Sequence, residues 1–236
     1  MMFRWFARPL SFPIAWLALR LGLSPNHVTY LSLLLNLLGL GLMASGVGVL
    51  MAVGVVIILL ALVLDAADGN MARTAQRFSP LGEWLEGVGS YGLCAAFHVA
   101  GSVGAWRALM LGYPVTAWPA ERALGGALVV LGAVAAGTIT LSILIAAKFS
   151  VVFPRVDRET IVARQGGGWY GHLFTIGRNL SFASGLVLPL TLIGILLRRY
   201  ELVLGFFAAA NTGMLLAVFV RCLWTIAHTG ARPASG

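Results

Sequence analysis

Apolar residues run along this chain in blocks of about 20 separated by short polar connections, the length needed to cross the ~30 Å hydrocarbon core of a bilayer as a helix. The pattern predicts six such helices, over residues 28–45, 49–64 continuing to 72, 81–106, 124–147, 176–197 and 202–227. A shorter apolar block over 10–21 precedes them. Pro13 interrupts it, Arg20 falls near its end, and the turn Gly22-Leu23-Ser24-Pro25-Asn26 follows. It is too short to span and carries no small-residue cleavage pattern, so it reads as a helix lying in the membrane interface and not as a signal peptide. The expected fold is an all-α integral membrane protein. An N-terminal cytoplasmic or interfacial segment covers 1–27, a six-helix transmembrane domain 28–228 and a short tail 229–236. Asn26 and Thr29 are expected to cap the first spanning helix. Asn36 and Asn211 read as interhelical hydrogen-bond partners, and Gly101, Gly104, Gly125, Gly132, Gly137 and Gly213 as points of close helix approach.

Composition agrees: 59% of residues are hydrophobic and 10% charged, against about 25% charged in soluble domains. The positive-inside rule then fixes orientation. With the N-terminus in the cytoplasm, that side receives Arg4, Arg8, Arg20, Arg73, Arg77, Lys148, Arg155, Arg158, Arg164, Arg178, Arg221 and Arg232, while the other receives Arg107, Arg122, Arg198 and Arg199. Both termini are expected to be cytoplasmic, in a protein of the cytoplasmic membrane. A net charge of +8 without an aromatic-interleaved basic tract points to an anionic membrane surface and phosphate-bearing ligands, not to nucleic acid. Cys94 and Cys222, in different apolar blocks, read as small core residues. The long polar connection around 149–175 holds Arg155, Arg158, Arg164, His172 and the run Gly166-Gly167-Gly168, which lacks the Lys-Ser/Thr of a phosphate loop and reads as a hinge. Arg164 and Arg178 flank the entry to the fifth span, where they either bind an acceptor phosphate or anchor the chain.

The chemistry concentrates in DAADGNMARTAQRFSPLGEWLEGVGS, from Asp65 to Ser90. A carboxylate in hydrocarbon costs about 2.5 kcal/mol or more, so acids there call for a functional reason. Asp65 and Asp68, at i and i+3, share one helix face and can grip one cation. Gly69 leaves room beside them, Ala72 keeps the next turn small, and Arg73 offers a planar fork to phosphate oxygens. On the next helix Glu83, Glu86 and Ser90 fall on one stripe, and Pro80 and Gly82 open it. The short connection makes these two helices antiparallel neighbours. Asp65, Asp68 and Glu86, with Glu83 as a fourth, form an oxygen-rich set suited to Mg²⁺ or Mn²⁺; without nearby His or Cys, zinc is disfavoured.

The spacing D-x2-D-G-x2-A-R-x8-G, carried by Asp65, Asp68, Gly69, Ala72, Arg73 and Gly82, resembles the signature of the CDP-alcohol phosphotransferases. The run Gly22-Leu23-Ser24-Pro25-Asn26-His27-Val28-Thr29 is similar to that family's entry to its first membrane helix. The resemblance implies six spans after an interfacial helix and a cytoplasmic active site. It also implies displacement of CMP from a CDP-alcohol donor by an acceptor hydroxyl, as in phospholipid biosynthesis, with a lipid as donor or acceptor, divalent cations, and a homodimer. Gly69, Ala72, Arg73 and Gly82 would then shape or contact the CDP moiety.

The family pattern ends in two further aspartates, where this chain has Glu86 and Ser90. Glutamate retains the charge. The last aspartate is, by the resemblance, the general base that takes the acceptor's proton, and an unaided serine hydroxyl does not serve. Three readings stand open: a substitute base, from Glu83 or His172, with His98 turned away; an acceptor that is already anionic; or a relative that binds nucleotide and metal with little or no turnover. Intramembrane acids also suit ion translocation, against which the Gly69-x2-Ala72-Arg73 context argues.

Overall fold

The computed structural model describes residues 7–76, 80–117, 122–153 and 186–229. Among these the chain is all-helical, and five helices are long and apolar enough to cross a membrane, the fold of an integral membrane protein. In order they are α1 (Arg8–Arg20), α2 (Pro25–Met43), α3 (Gly48–Ala75), α4 (Pro80–Leu111), α5 (Arg122–Val152), α6 (Leu188–Leu196) and α7 (Tyr200–Thr229). Five of the six predicted spans fall on α2, α3, α4, α5 and α7. Of the sixth, predicted over 176–197, residues 176–185 lie outside the described residues and the remainder contains α6. The glycine run at 166–168 also lies outside them.

α1 and α2 turn mainly small and polar residues inward and large apolar residues outward, an arrangement suited to lipid as solvent, while Phe97, Leu128, Leu204 and Phe207 fill the core between the later helices. On α2 the buried face is Val28, Thr29, Ser32, Asn36, Gly39 and Met43, while Leu31, Leu34, Leu37 and Leu38 point out. On α1, Ser11, Ala15 and Ala18 face the protein, and Phe12, Trp16 and Leu17 are exposed. The cap of α2 is Ser24, not Asn26 or Thr29: its hydroxyl accepts from the His27 amide, and His27 Nδ1 accepts from the Ser24 amide, both at 3.3 Å. Pro25 at the first helical position sets the chain direction, so the helix begins before either expected cap. Thr29 lies a turn inside, with its side chain directed at α3.

Backbone approaches lock the bundle. A Cβ on Gly39 would lie 2.5 Å from Ile58 Cγ1 and 2.8 Å from the Gly54 carbonyl, so α2 and α3 touch main chain to main chain. Gly104 of α4 sits directly against the Met43 carbonyl of α2, Gly132 of α5 against Ser102, and Gly101 against the Tyr200 hydroxyl. Gly125 packs on Trp106. Gly137 and Gly213, expected at such contacts, meet nothing within 4 Å among the described residues; both fall on outward faces of their helices. The α2–α3 turn closes at Gly46, whose φ of +83° suits glycine, beneath Arg107, whose guanidinium donates to the Ala44 carbonyl at 3.1 Å.

Asn211 is interhelical, as expected. Its Nδ2 donates to the Ala135 carbonyl at 3.1 Å and lies 3.2 Å from His98 Nε2, tying α4, α5 and α7 together. Turning the amide round would set two oxygens against each other at Ala135, so the nitrogen faces both groups and His98 accepts at Nε2. Asn36 faces inward, but its Oδ1 has no partner among the described residues. Cys94 and Cys222 are buried in α4 and α7.

Candidate functional site at the end of α3

The last turns of α3 are two-faced. Ala66, Ala67, Asn70 and Met71 are buried, and Ala67 and Met71 pack against Ala15, Ala18 and Val28 of α1 and α2. Asp65, Asp68, Gly69 and Ala72 lie on the half-exposed face and Arg73 is exposed. Helical spacing accounts for the division, since 65, 68, 69, 72 and 73 fall on one side of a 3.6-residue repeat.

Contacts among the described residues organise this face. The Thr29 hydroxyl lies 2.5 Å from Asp68 Oδ2 and donates to it, which fixes the carboxylate from the neighbouring helix. At Gly69 an added Cβ would stand 3.3 Å from Arg73 Nη2 and 3.4 Å from Nη1, so the guanidinium folds back over the bare glycine. The room read into Gly69 is thus occupied in part by the chain's own arginine. Arg73 Nη2 in turn donates to Asn70 Oδ1 at 2.8 Å.

Asn70 continues inward. Its Nδ2 donates to Ser11 Oγ at 2.7 Å, and Ser11 donates to the Arg8 carbonyl at 2.7 Å. Arginine has only donors, so Asn70 must present its oxygen to Arg73 and its nitrogen to Ser11. A one-way relay therefore runs from the exposed fork through a buried amide into α1. Sequence reasoning passed over Ser11 and Asn70 and read Thr29 as a cap. The available signal was a polar residue on the inward face of each of α1, α2 and α3 near the acid-bearing end. Asn70→Ala is expected to leave Ser11 without its donor and Arg73 without its anchor. The destabilisation should be about 1–3 kcal/mol, with α1 becoming the first segment cut in limited proteolysis. Unchanged cleavage would show that the relay does not hold α1.

Gly82, Glu83, Glu86 and Ser90 all fall on α4, within its first turns, as predicted. The side chains of Glu83, Glu86 and Ser90 lie outside the described residues, as do Arg164, His172 and Arg178 entirely. Among the described residues α4 packs chiefly on α2 and α5 and meets α3 only narrowly, because Gly104 and Gly89 set it against Met43 and Leu33 of α2. The connection between α3 and α4 at residues 77–79, and several side chains that open α4, lie outside the described residues. No group of three His, Cys, Asp or Glu side chains assembles among the described residues. Two carboxylates, Asp65 and Asp68, do share one half-exposed face. His98 belongs to a different place: it is 2% exposed, packed edge-on to Phe97 and tilted against Phe207, with its Nε2 engaged by Asn211.

In comparisons with known proteins, no family model matches the chain and no curated protein matches it.

Proposed function

We propose that the protein is a membrane transferase of the CDP-alcohol phosphotransferase type, which displaces CMP from a CDP-alcohol to form a phosphodiester with an acceptor hydroxyl. The observation that carries this reading is the pair Asp65 and Asp68, half-exposed on one face at the end of an apolar helix, with Arg73 folded beside them over Gly69. Two carboxylates one turn apart fit Mg²⁺ or Mn²⁺, which take oxygen ligands, and Thr29 restrains one of them. Asp65, Asp68 and Glu86 would hold the cation. When bound, it would neutralise phosphate oxygens as CMP departs. Arg73, held by Asn70, would orient the diphosphate, and Gly69, Ala72 and Gly82 would keep the approach open for the CDP moiety. Glu83 or His172 would take the acceptor proton in place of the missing aspartate at Ser90. Arg164 and Arg178 would receive an acceptor phosphate.

The same reading carries a topology. α5 ends beside the C-terminal half of α7, where Phe149 packs with Val218 and Cys222. α6 ends at the opposite end of the bundle, where the Tyr200 backbone amide donates to the Val115 carbonyl. The end of α5 and the end of α6 thus lie at opposite ends of the bundle, as a sixth span would require. With α1 in the interface and both termini cytoplasmic, the acid face opens to the cytoplasm, where soluble CDP-alcohols and anionic lipid are at hand. A homodimer is part of the proposal.

Ser90 favours one rival, a relative that binds CDP-alcohol and metal without turnover. The deciding experiment is metal-dependent CMP release by the purified protein, offered CDP-diacylglycerol or CDP-linked polar alcohols with a panel of acceptors, beside Ser90→Asp. Turnover by the wild type is expected. Binding without release, with release gained in Ser90→Asp, would instead establish the rival, and vesicle ion flux without nucleotide would establish a transporter.

A further inference from the structure

A groove of about 540 Å³ opens sideways on the bundle at the end away from the acids, between the first half of α3, the segment after α4 and the end of α6. Val49, Val53, Val56 and Leu196 give it an apolar wall, and Tyr113 and Arg198 stand at its rim. Its α3 side runs from Val47 to Ile57, ten residues or about 15 Å of helical rise. That is half of the ~30 Å hydrocarbon core, the depth of one leaflet.

The rim is charged in a specific way. Arg199 lies 3.9 Å from the buried Glu201, so the neighbouring cation has a carboxylate. Arg198 has no carboxylate within ion-pair distance among the described residues. Arg198 also occupies the left-handed position that closes α6, with φ of +57°, while its amide donates to the Ile195 carbonyl. Glycine is the usual residue there, and a side chain costs about 1–2 kcal/mol. A strained residue carrying a charge at the mouth of an apolar slot points to use of that charge.

We propose that the groove holds an acyl chain of an anionic phospholipid from the leaflet opposite the acid face, with its phosphate on the Arg198 guanidinium. The slot matches one chain in depth and one phosphate in charge, and Tyr113 sits at headgroup level. The test is native mass spectrometry of the full chain, released from micelles titrated with phosphatidylglycerol or diacylglycerol. Retention of one phosphatidylglycerol per chain is expected, with diacylglycerol held about tenfold more weakly. Arg198→Asn, which keeps a residue tolerant of the left-handed backbone, should reduce phosphatidylglycerol to the diacylglycerol level. Val53→Trp, at a position 42% exposed, should fill the slot and abolish retention while the thermal midpoint holds. Equal retention of the two lipids, or retention unaffected by both variants, would overturn the proposal. So would a dimer that Val53→Trp dissociates, since a second copy would then occupy the groove.

Discussion

Asp68→Asn is expected to lower metal-dependent CMP release by about a thousandfold or more, with the fold intact. The amide has the shape of the carboxylate, and its oxygen can still accept from Thr29. What disappears is the full negative charge that, in the proposed transferase, would face the cation and the diphosphate. Electrostatic stabilisation of that kind amounts to several kcal/mol, and each 1.36 kcal/mol is about a tenfold change in rate. Thr29→Val separates charge from restraint: it keeps the carboxylate and removes the hydroxyl that fixes it. A charge-assisted hydrogen bond contributes about 1.5–3 kcal/mol, so a loss of about tenfold to a hundredfold is expected. Steady-state CMP release across a metal titration reads both variants. Wild-type release by Asp68→Asn would remove Asp68 from the site.

The second large effect is structural. Gly104→Ala places a methyl group where the Met43 carbonyl already lies, and both partners are main chain on long helices. Neither can rotate away, so the α2–α4 crossing must shift, at about 3 kcal/mol, the upper part of the overpacking range. Gly137→Ala is the matched control. Its added Cβ meets nothing, and alanine is the better helix former by about 1 kcal/mol. Unfolding of the two variants in mixed micelles, followed by circular dichroism, should move in opposite directions. Coincident curves would mean that the α2–α4 crossing yields freely.

The contrast between these glycines marks what sequence alone could supply. Apolar block length located five membrane-crossing helices, because the bilayer imposes a minimum length on any span. It did not separate Gly104 from Gly137, since both sit in uniformly apolar surroundings and only the partner helix decides which is a contact. Gly39 and Gly54 escaped notice for the same reason. Within the candidate site, periodicity places Asp65 and Asp68 on one face of a single helix, which needs no tertiary knowledge. Ser11, Thr29 and Asn70 come from three different helices, so their partnership depends on how α1 and α2 dock on α3. Thr29 reads as a cap from sequence, because Ser and Thr near a helix start usually are. Ser24 had already taken that position, which released Thr29 for Asp68.

The length of α3 sets the depth at which the proposed site sits. Its 28 residues rise about 42 Å, against ~30 Å of hydrocarbon. If Gly48 marks one edge of the bilayer, the hydrocarbon ends near Ala67, and Asp68 to Ala75 stand among headgroups. At that depth water and acyl chains are both within a side chain's reach. In the proposed transferase, a water-soluble reactant and one dissolved in the membrane would therefore reach Asp68 from opposite directions, each without leaving its own phase.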